Sequence, residues 1–155
     1  MIIHSASQLL TIRGGPQRGS ALGDLGLIPD GAVLFRSGEI LDVGSTSRLL
    51  AEYPEEKAWD AGGCVVMPGF VDTHRHSWRT LFRNAGTDQA GHQVPVASYR
   101  DDHRPDDIYA ATLIALLGAA ASGTTSVVDW ADVPSTSEHV DAALEAHADA
   151  GLRTV

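Results

Sequence analysis

From Phe70 to Val155 the chain alternates between strand-like and helix-like runs, and this order constrains the fold more than any other feature. Phe70 to His76 reads as a strand, Pro105 to Ala121 as a helix and Thr124 to Trp130 as a second strand. A second helix follows Ser135, and Leu152 to Val155 begins a third strand. Strand, helix, strand, helix, strand is a β/α succession, and crossover helices leave the strands parallel in one sheet. The boundaries carry physical signals. Pro105 suits a first helical position, Asp106 and Asp107 sit at the positive end of the helix dipole, and Gly123 ends the run. Thr124 to Trp130 is rich in β-branched residues. Ser135 with Glu138 three residues on is a capping-box signal, which predicts Val140 and Leu144 on the inner face of a helix stopped near Gly151.

Residues 1–67 read differently, as short strands punctuated by glycine-rich turns. Ile2-Ile3 and Gln8 to Ile12 are strand candidates, with a polar loop from Arg13 to Gly23. Ala32 to Phe35 and Ile40 to Val43 flank Ser37-Gly38, which predicts a hairpin. Ser45 or Thr46 caps a short helix through Leu49, Leu50 and Tyr53, ended by Pro54. Ala58 to Asp60 is expected to face Cys64 to Met67 across a Gly62-Gly63 turn.

The first β/α strand ends in the run Met67-Pro68-Gly69-Phe70-Val71-Asp72-Thr73-His74-Arg75-His76. Alternate residues of a strand share a face, so His74 and His76 can converge on one centre while Arg75 points away. Two neutral imidazoles suit zinc or a similar divalent metal, although an alternating strand also places histidine pairs on solvated faces. In a parallel α/β barrel the C-terminal ends of the strands carry the catalytic groups, and both histidines lie at such an end. Ser77 to Arg104 then reads as an active-site loop with a helical turn or two near Trp78 to Arg83.

This run resembles the metal-binding signature on the first barrel strand of the amidohydrolase superfamily. Arg104 to Tyr109 and Ser122 to Trp130 are similar to the first helix and second strand of its cytosine deaminase-like and triazine hydrolase-like branch, and the N-terminal half resembles imidazolonepropionases. The resemblance implies an α/β fold: part of a small β-sandwich over residues 1–67, then the first units of a TIM-type (β/α)8 barrel over residues 68–155. A complete barrel needs roughly 250 residues, so 155 leave both parts incomplete. It also implies a metal-dependent hydrolase of carbon–nitrogen bonds other than peptide bonds, by cyclic amide hydrolysis or deamination of a small heterocycle through a metal-activated water. Zinc is the expected metal, with iron or manganese as alternatives, held by His74 and His76. The family's further histidines and its catalytic aspartate come from later strands, so the alternative is a non-catalytic truncated fragment.

Composition bounds the partners. Eleven Lys and Arg against 20 Asp and Glu give a formal charge of -9, which disfavours nucleic acid and anionic membranes and leaves a small amide or heterocyclic substrate. No basic-then-apolar leader and no run of about 20 apolar residues is present, so a cytoplasmic protein is expected, and unsatisfied sheet edges predict a homo-oligomer. The single Cys64 excludes an internal disulfide and reads as a small buried hydrophobe.

Other candidates have plainer readings beside the functional ones. Trp78 could wall the pocket or sit in the core, His92 and His103 could meet substrate from the loop, and Asp129 could serve substrate or cap a loop. His4, His139 and His147 read as solvated or helix-packing residues, and Asp72 as a structural hydrogen-bonding group.

Overall fold

The computed structural model describes residues 1–14, 18–21, 23–83, 103–132 and 136–155. They form two compact units, Met1–Pro68 and Gly69–Val155, each with its own sheet.

In the first unit, β1 (Ile2–Leu10), β2 (Leu27–Arg36), β3 (Glu39–Ser45), β4 (Ala58–Asp60) and β5 (Val65–Val66) form one sheet in the order β3-β2-β1-β4, with β5 also on β1. The hairpin expected at Ser37-Gly38 joins β2 to antiparallel β3, and both turn residues have positive φ, 52° and 82°. That pairing matches the mirror-image turns whose twist suits a two-residue hairpin. The two expected N-terminal strands are instead one, because a bulge carries the ladder through. Ser5 sits in this irregularity with φ 59°, and its N–H donates to the Thr46 hydroxyl at 2.8 Å. The expected pairing of residues 58–60 with 64–67 does not form. Both segments run parallel to β1, one beside Ile2–His4 and the other beside Gln8–Leu9, so the Gly62-Gly63 region is a break within one edge.

Helix α1 (Thr46–Glu52) starts at Ser45, whose hydroxyl accepts from the Arg48 N–H at 3.4 Å. It closes the core of this unit, where Ile2, Ala32, Leu34 and Leu49 are buried with Leu50 and Tyr53 packed against them. Cys64, expected to be buried, is exposed: its segment lies at the sheet edge rather than under it.

The second unit is the predicted β/α succession. Strands β6 (Phe70–Arg75), β7 (Thr124–Asp129) and β8 (Arg153–Thr154) are parallel in the order β6-β7-β8, and α2 (Pro105–Ala121) and α3 (Ser137–Ala150) form the crossovers. A short 3-10 helix, Ser77–Phe82, follows β6 directly. The start of β6 needs glycine: a Cβ on Gly69 would meet the Thr125 side chain at 2.1 Å. Helix α2 begins at Pro105, and the Asp107 carboxylate accepts from the Arg104 N–H at 3.0 Å.

Two expectations for α3 are corrected. Its N-cap is Thr136, one residue later than the capping box required, and Ser135 lies outside the described residues. Its inner face is Ala142, Ala143 and Ala146, whereas Val140 and Leu144 are 45% and 61% exposed. Small residues let two helices approach closely, and here α3 packs extensively on α2. Trp78, Ile108 and Ala143 form the buried cluster between the 3-10 helix and the two long helices, with Phe82 against it.

Candidate active site

The C-terminal ends of β6 and β7 meet at one edge of the second unit. Arg75 pairs with Asp129 in the ladder, and the Trp130 N–H donates to the Arg75 carbonyl at 2.7 Å. His74 and His76 therefore lie beside the hook formed by Asp129, Trp130, Ala131 and Asp132. The hook is tight, with the Ala131 N–H donating to the Asp129 carbonyl at 2.9 Å and the Asp132 N–H to the Trp130 carbonyl at 2.8 Å.

The two histidines converge. Their Nε2 atoms are 3.2 Å apart, and the rings stand edge to face. Simple alternation is not the whole cause, because the ladder shifts between Asp72 and Arg75. The Asp72 carboxylate accepts from the His74 N–H at 3.2 Å and from Arg75 Nε at 2.8 Å, which fixes the backbone through the shift. Burial pushes the Asp72 carboxyl up, but Arg75 and the His74 N–H outweigh it and hold the group below the usual carboxylate range.

His76 is gripped from β7. Its Nδ1 is 2.9 Å from the Trp130 carbonyl and 3.0 Å from Asp132 Oδ1. Both partners are acceptors, so Nδ1 carries a proton and Nε2 is the nitrogen that faces His74. Asp132 also accepts from Trp78 Nε1 at 3.0 Å and from Arg79. Burial alone would raise the Asp132 carboxyl, yet Arg79, Trp78 and His76 hold it down at about 2. Asp129 is nearly buried. It accepts from the Ser77 N–H at 3.0 Å and from His147 Nε2 at 2.9 Å, which ties the residue after His76 to β7 and α3.

The other candidates are dispersed. Trp78 is 1% exposed and lies in the buried cluster with Ile108 and Ala143. His103 packs against the Trp78 and Phe82 rings, and its carbonyl accepts from His139 Nε2 at 2.7 Å. His92 lies outside the described residues. Among the described residues no group of three or more His, Cys, Asp or Glu side chains is arranged to hold a metal.

Two neighbours of the histidines escaped the sequence reading. Asp132 lies 56 residues from His76, and Trp130, 57% exposed, sets its ring 5.0 Å from that of His74. The available signal was Trp78: a buried indole N–H needs an acceptor, and a carboxylate just past the second strand is a natural one.

Comparison with known proteins places the chain in a family. Residues 65–155 match the model of the amidohydrolase family. The chain is 35% identical over 107 residues to a 5-methylthioadenosine/S-adenosylhomocysteine deaminase of Syntrophobacter fumaroxidans, covering 64% of this chain and 23% of that protein. It is 40% identical over 79 residues to an imidazolonepropionase of Symbiobacterium thermophilum, covering 49% of this chain and 19% of that one. The chain thus spans about a quarter or less of the length of these relatives. A mutant of the atrazine chlorohydrolase TrzN from Arthrobacter aurescens, solved with zinc and atraton, shares the fold with a TM-score of 0.76 at 21% identity, covering 99% of this chain and 34% of that one. With more than half of its residues matched, the chain belongs to the amidohydrolase family and corresponds to its N-terminal portion.

Proposed function

We propose that His74 and His76 are the first two protein ligands of a divalent metal in a hydrolase of carbon–nitrogen bonds other than peptide bonds, acting by cyclic amide hydrolysis or deamination of a small heterocycle. The observation that carries the reading is the 3.2 Å separation of the two Nε2 atoms. Two zinc–nitrogen bonds of about 2.0–2.1 Å at a tetrahedral angle span about 3.3–3.4 Å, so the rings are already spaced for one ion. Paired imidazoles favour zinc, with iron or manganese as alternatives. When bound, such an ion lowers the pKa of a water toward neutrality and supplies the nucleophile for hydrolysis.

The chain's own residues then have definite tasks. His74 and His76 offer lone pairs, the Trp130 carbonyl and Asp132 keep the His76 proton on Nδ1, and Asp129 fixes the backbone at Ser77. The exposed Trp130 indole offers a flat apolar surface beside the pair, suited to a planar heterocycle. In this reading residues 68–155 begin a (β/α)8 barrel and residues 1–67 are part of a composite β-sandwich, in a cytoplasmic homo-oligomer. Among the described residues, no helix is long and apolar enough to cross a membrane.

A second reading rests on coverage, since the chain spans only 23% of the deaminase that it matches. In it, the 155 residues are a non-catalytic portion of such an enzyme. One experiment addresses both. The chain is incubated with zinc and a panel of cyclic amides, hydantoins, aminopyrimidines and triazines, and the reading frame is followed past codon 155. No turnover, with roughly 250 residues of barrel completed downstream, supports the enzyme reading for the longer protein. Zinc-dependent turnover by the chain alone, abolished in His74→Ala, overturns the fragment reading.

A further inference from the structure

We infer that Asp132 is a positioning residue, which orients His76 through its Nδ1–H and couples that ligand to the core of the second unit. The inference rests on the reading of His74 and His76 as a metal pair, and concerns how one of them is held ready.

Three observations combine. The first is the direction of the proton. Nδ1 of His76 faces a backbone carbonyl at 2.9 Å and a carboxylate oxygen at 3.0 Å, and neither can donate, so the Nδ1–H tautomer is selected and Nε2 turns toward His74. The second is that Asp132 has little freedom of its own. Its Oδ1 also accepts from Trp78 Nε1 and its Oδ2 from Arg79, both on the 3-10 helix that follows His76. The third is that Trp78 is itself fixed, packed in the core with Ile108 and Ala143. A ring held by one bond to a carbonyl could still tilt. A carboxylate locked by two further donors restricts that tilt and, being charged, makes the ring a better electron donor at Nε2. Partners of this kind typically change metal affinity by about 10- to 100-fold when removed.

The test uses the 155-residue chain labelled with 15N, free of metal, at neutral pH. Long-range proton–nitrogen correlation reads the tautomer of each histidine, and calorimetric titration with zinc reads affinity. In the wild-type chain His76 should show a protonated Nδ1 held by the Trp130 carbonyl and Asp132. Asp132→Ala should move both ring-nitrogen shifts, with the Nε2–H form gaining population, and should weaken zinc binding by about 10- to 100-fold. Asp132→Asn keeps an acceptor oxygen without the charge, so it should retain the Nδ1–H form and weaken zinc by less than about 10-fold. Should Asp132→Ala lose its circular dichroism, Asp132→Asn decides: the Nδ1 shift must move while the tautomer stays. Wild-type nitrogen shifts in the folded variant, or an Nδ1 without a proton in the parent chain, overturn the proposal. The metal reading is judged separately, by loss of zinc binding in His74→Ala and His76→Ala. Shifted nitrogens in a chain that never binds zinc would leave Asp132 in its role and remove the metal.

Discussion

Removing the Asp129 carboxylate should loosen the whole end of β7, because that one group satisfies donors from two other elements. The side chains of Asp129 and His147 are only 6% and 12% exposed. Asp129→Ala strands the Ser77 N–H, which donates at 3.0 Å, and the His147 Nε2–H, which donates at 2.9 Å. A buried polar group deprived of its partner costs about 1–3 kcal/mol, so the two together predict a loss of about 2–6 kcal/mol in the second unit. Asp129→Asn should cost less, about 1–2 kcal/mol, because its carbonyl oxygen still accepts from Ser77 while the charge is lost. His147→Ala removes one donor and falls between the two.

The assay is amide hydrogen exchange by mass spectrometry over β7 and the Ser77 segment, with urea unfolding of the second unit alongside. Each 1.4 kcal/mol is tenfold, so Asp129→Ala should speed exchange of the β7 amides by about 30-fold or more. The pH dependence gives a second reading. Burial raises the Asp129 carboxyl, but hydrogen bonds from His147 and Ser77 outweigh it and leave the group below the ordinary carboxylate value. A depressed carboxylate stabilises the folded state above its unfolded pKa of about 3.9, and that contribution disappears as pH falls through the folded value. The difference between the parent chain and Asp129→Asn should therefore be full at pH 6 to 7 and shrink below about pH 4. A change of less than about twofold in β7 exchange for Asp129→Ala would refute the reasoning. So would strict additivity of Asp129→Ala and His147→Ala, since contacting partners should couple by about 0.5 kcal/mol or more.

With two histidines where catalytic zinc sites normally have three protein ligands, the chain should hold zinc weakly and lose it on dialysis, as elemental analysis can check. Stoichiometric zinc that survives dialysis and disappears in a His74→Ala, His76→Ala double variant would mean that a further group, such as His92 or His103, completes the site. In the first unit, the Arg48 guanidinium holds the Asp42 carboxyl down at about 2, so a carbon-13 NMR titration should find that midpoint, and Arg48→Gln should return it toward about 4. The sign follows: the pair favours the folded state above about pH 4 and is lost as pH falls toward 2, and a parent midpoint near 4 would contradict the ion pair. Ile114, Leu117, Val140 and Leu144 are all at least 45% exposed on α2 and α3, so the folded chain alone should associate; light scattering showing a compact monomer at high concentration would contradict this.

The elements that were legible in the sequence are those whose cause is local. The hairpin at Ser37-Gly38 needs two residues that tolerate positive φ, α2 needs Pro105 with acidic residues behind it, and β7 needs its β-branched run. The pairing and packing that differ from expectation concern partners distant in the chain. Gly62-Gly63 looks like a hairpin turn on its own, but both flanking segments pair with β1 rather than with each other. Large apolar residues on α3 were expected to face inward, whereas the close approach of α2 selects the alanine face and turns Val140 and Leu144 outward.

The candidate site divides along the same line. His74 and His76 are two residues apart, so their convergence could be anticipated from strand alternation, although the 3.2 Å Nε2 separation also depends on the ladder shift after Asp72 and on the grip of β7 on His76. The hook that holds them comes from 54 to 56 residues away, and its only trace in the sequence is indirect. Trp78 is buried, its indole N–H must be satisfied, and the acceptor that satisfies it is the same oxygen that meets His76. A residue that reads as core packing thus sets the geometry of a ligand. Trp78→Phe, which keeps most of the apolar volume and removes the donor, should therefore disturb Asp132 and His76 more than it disturbs the packing around Ile108.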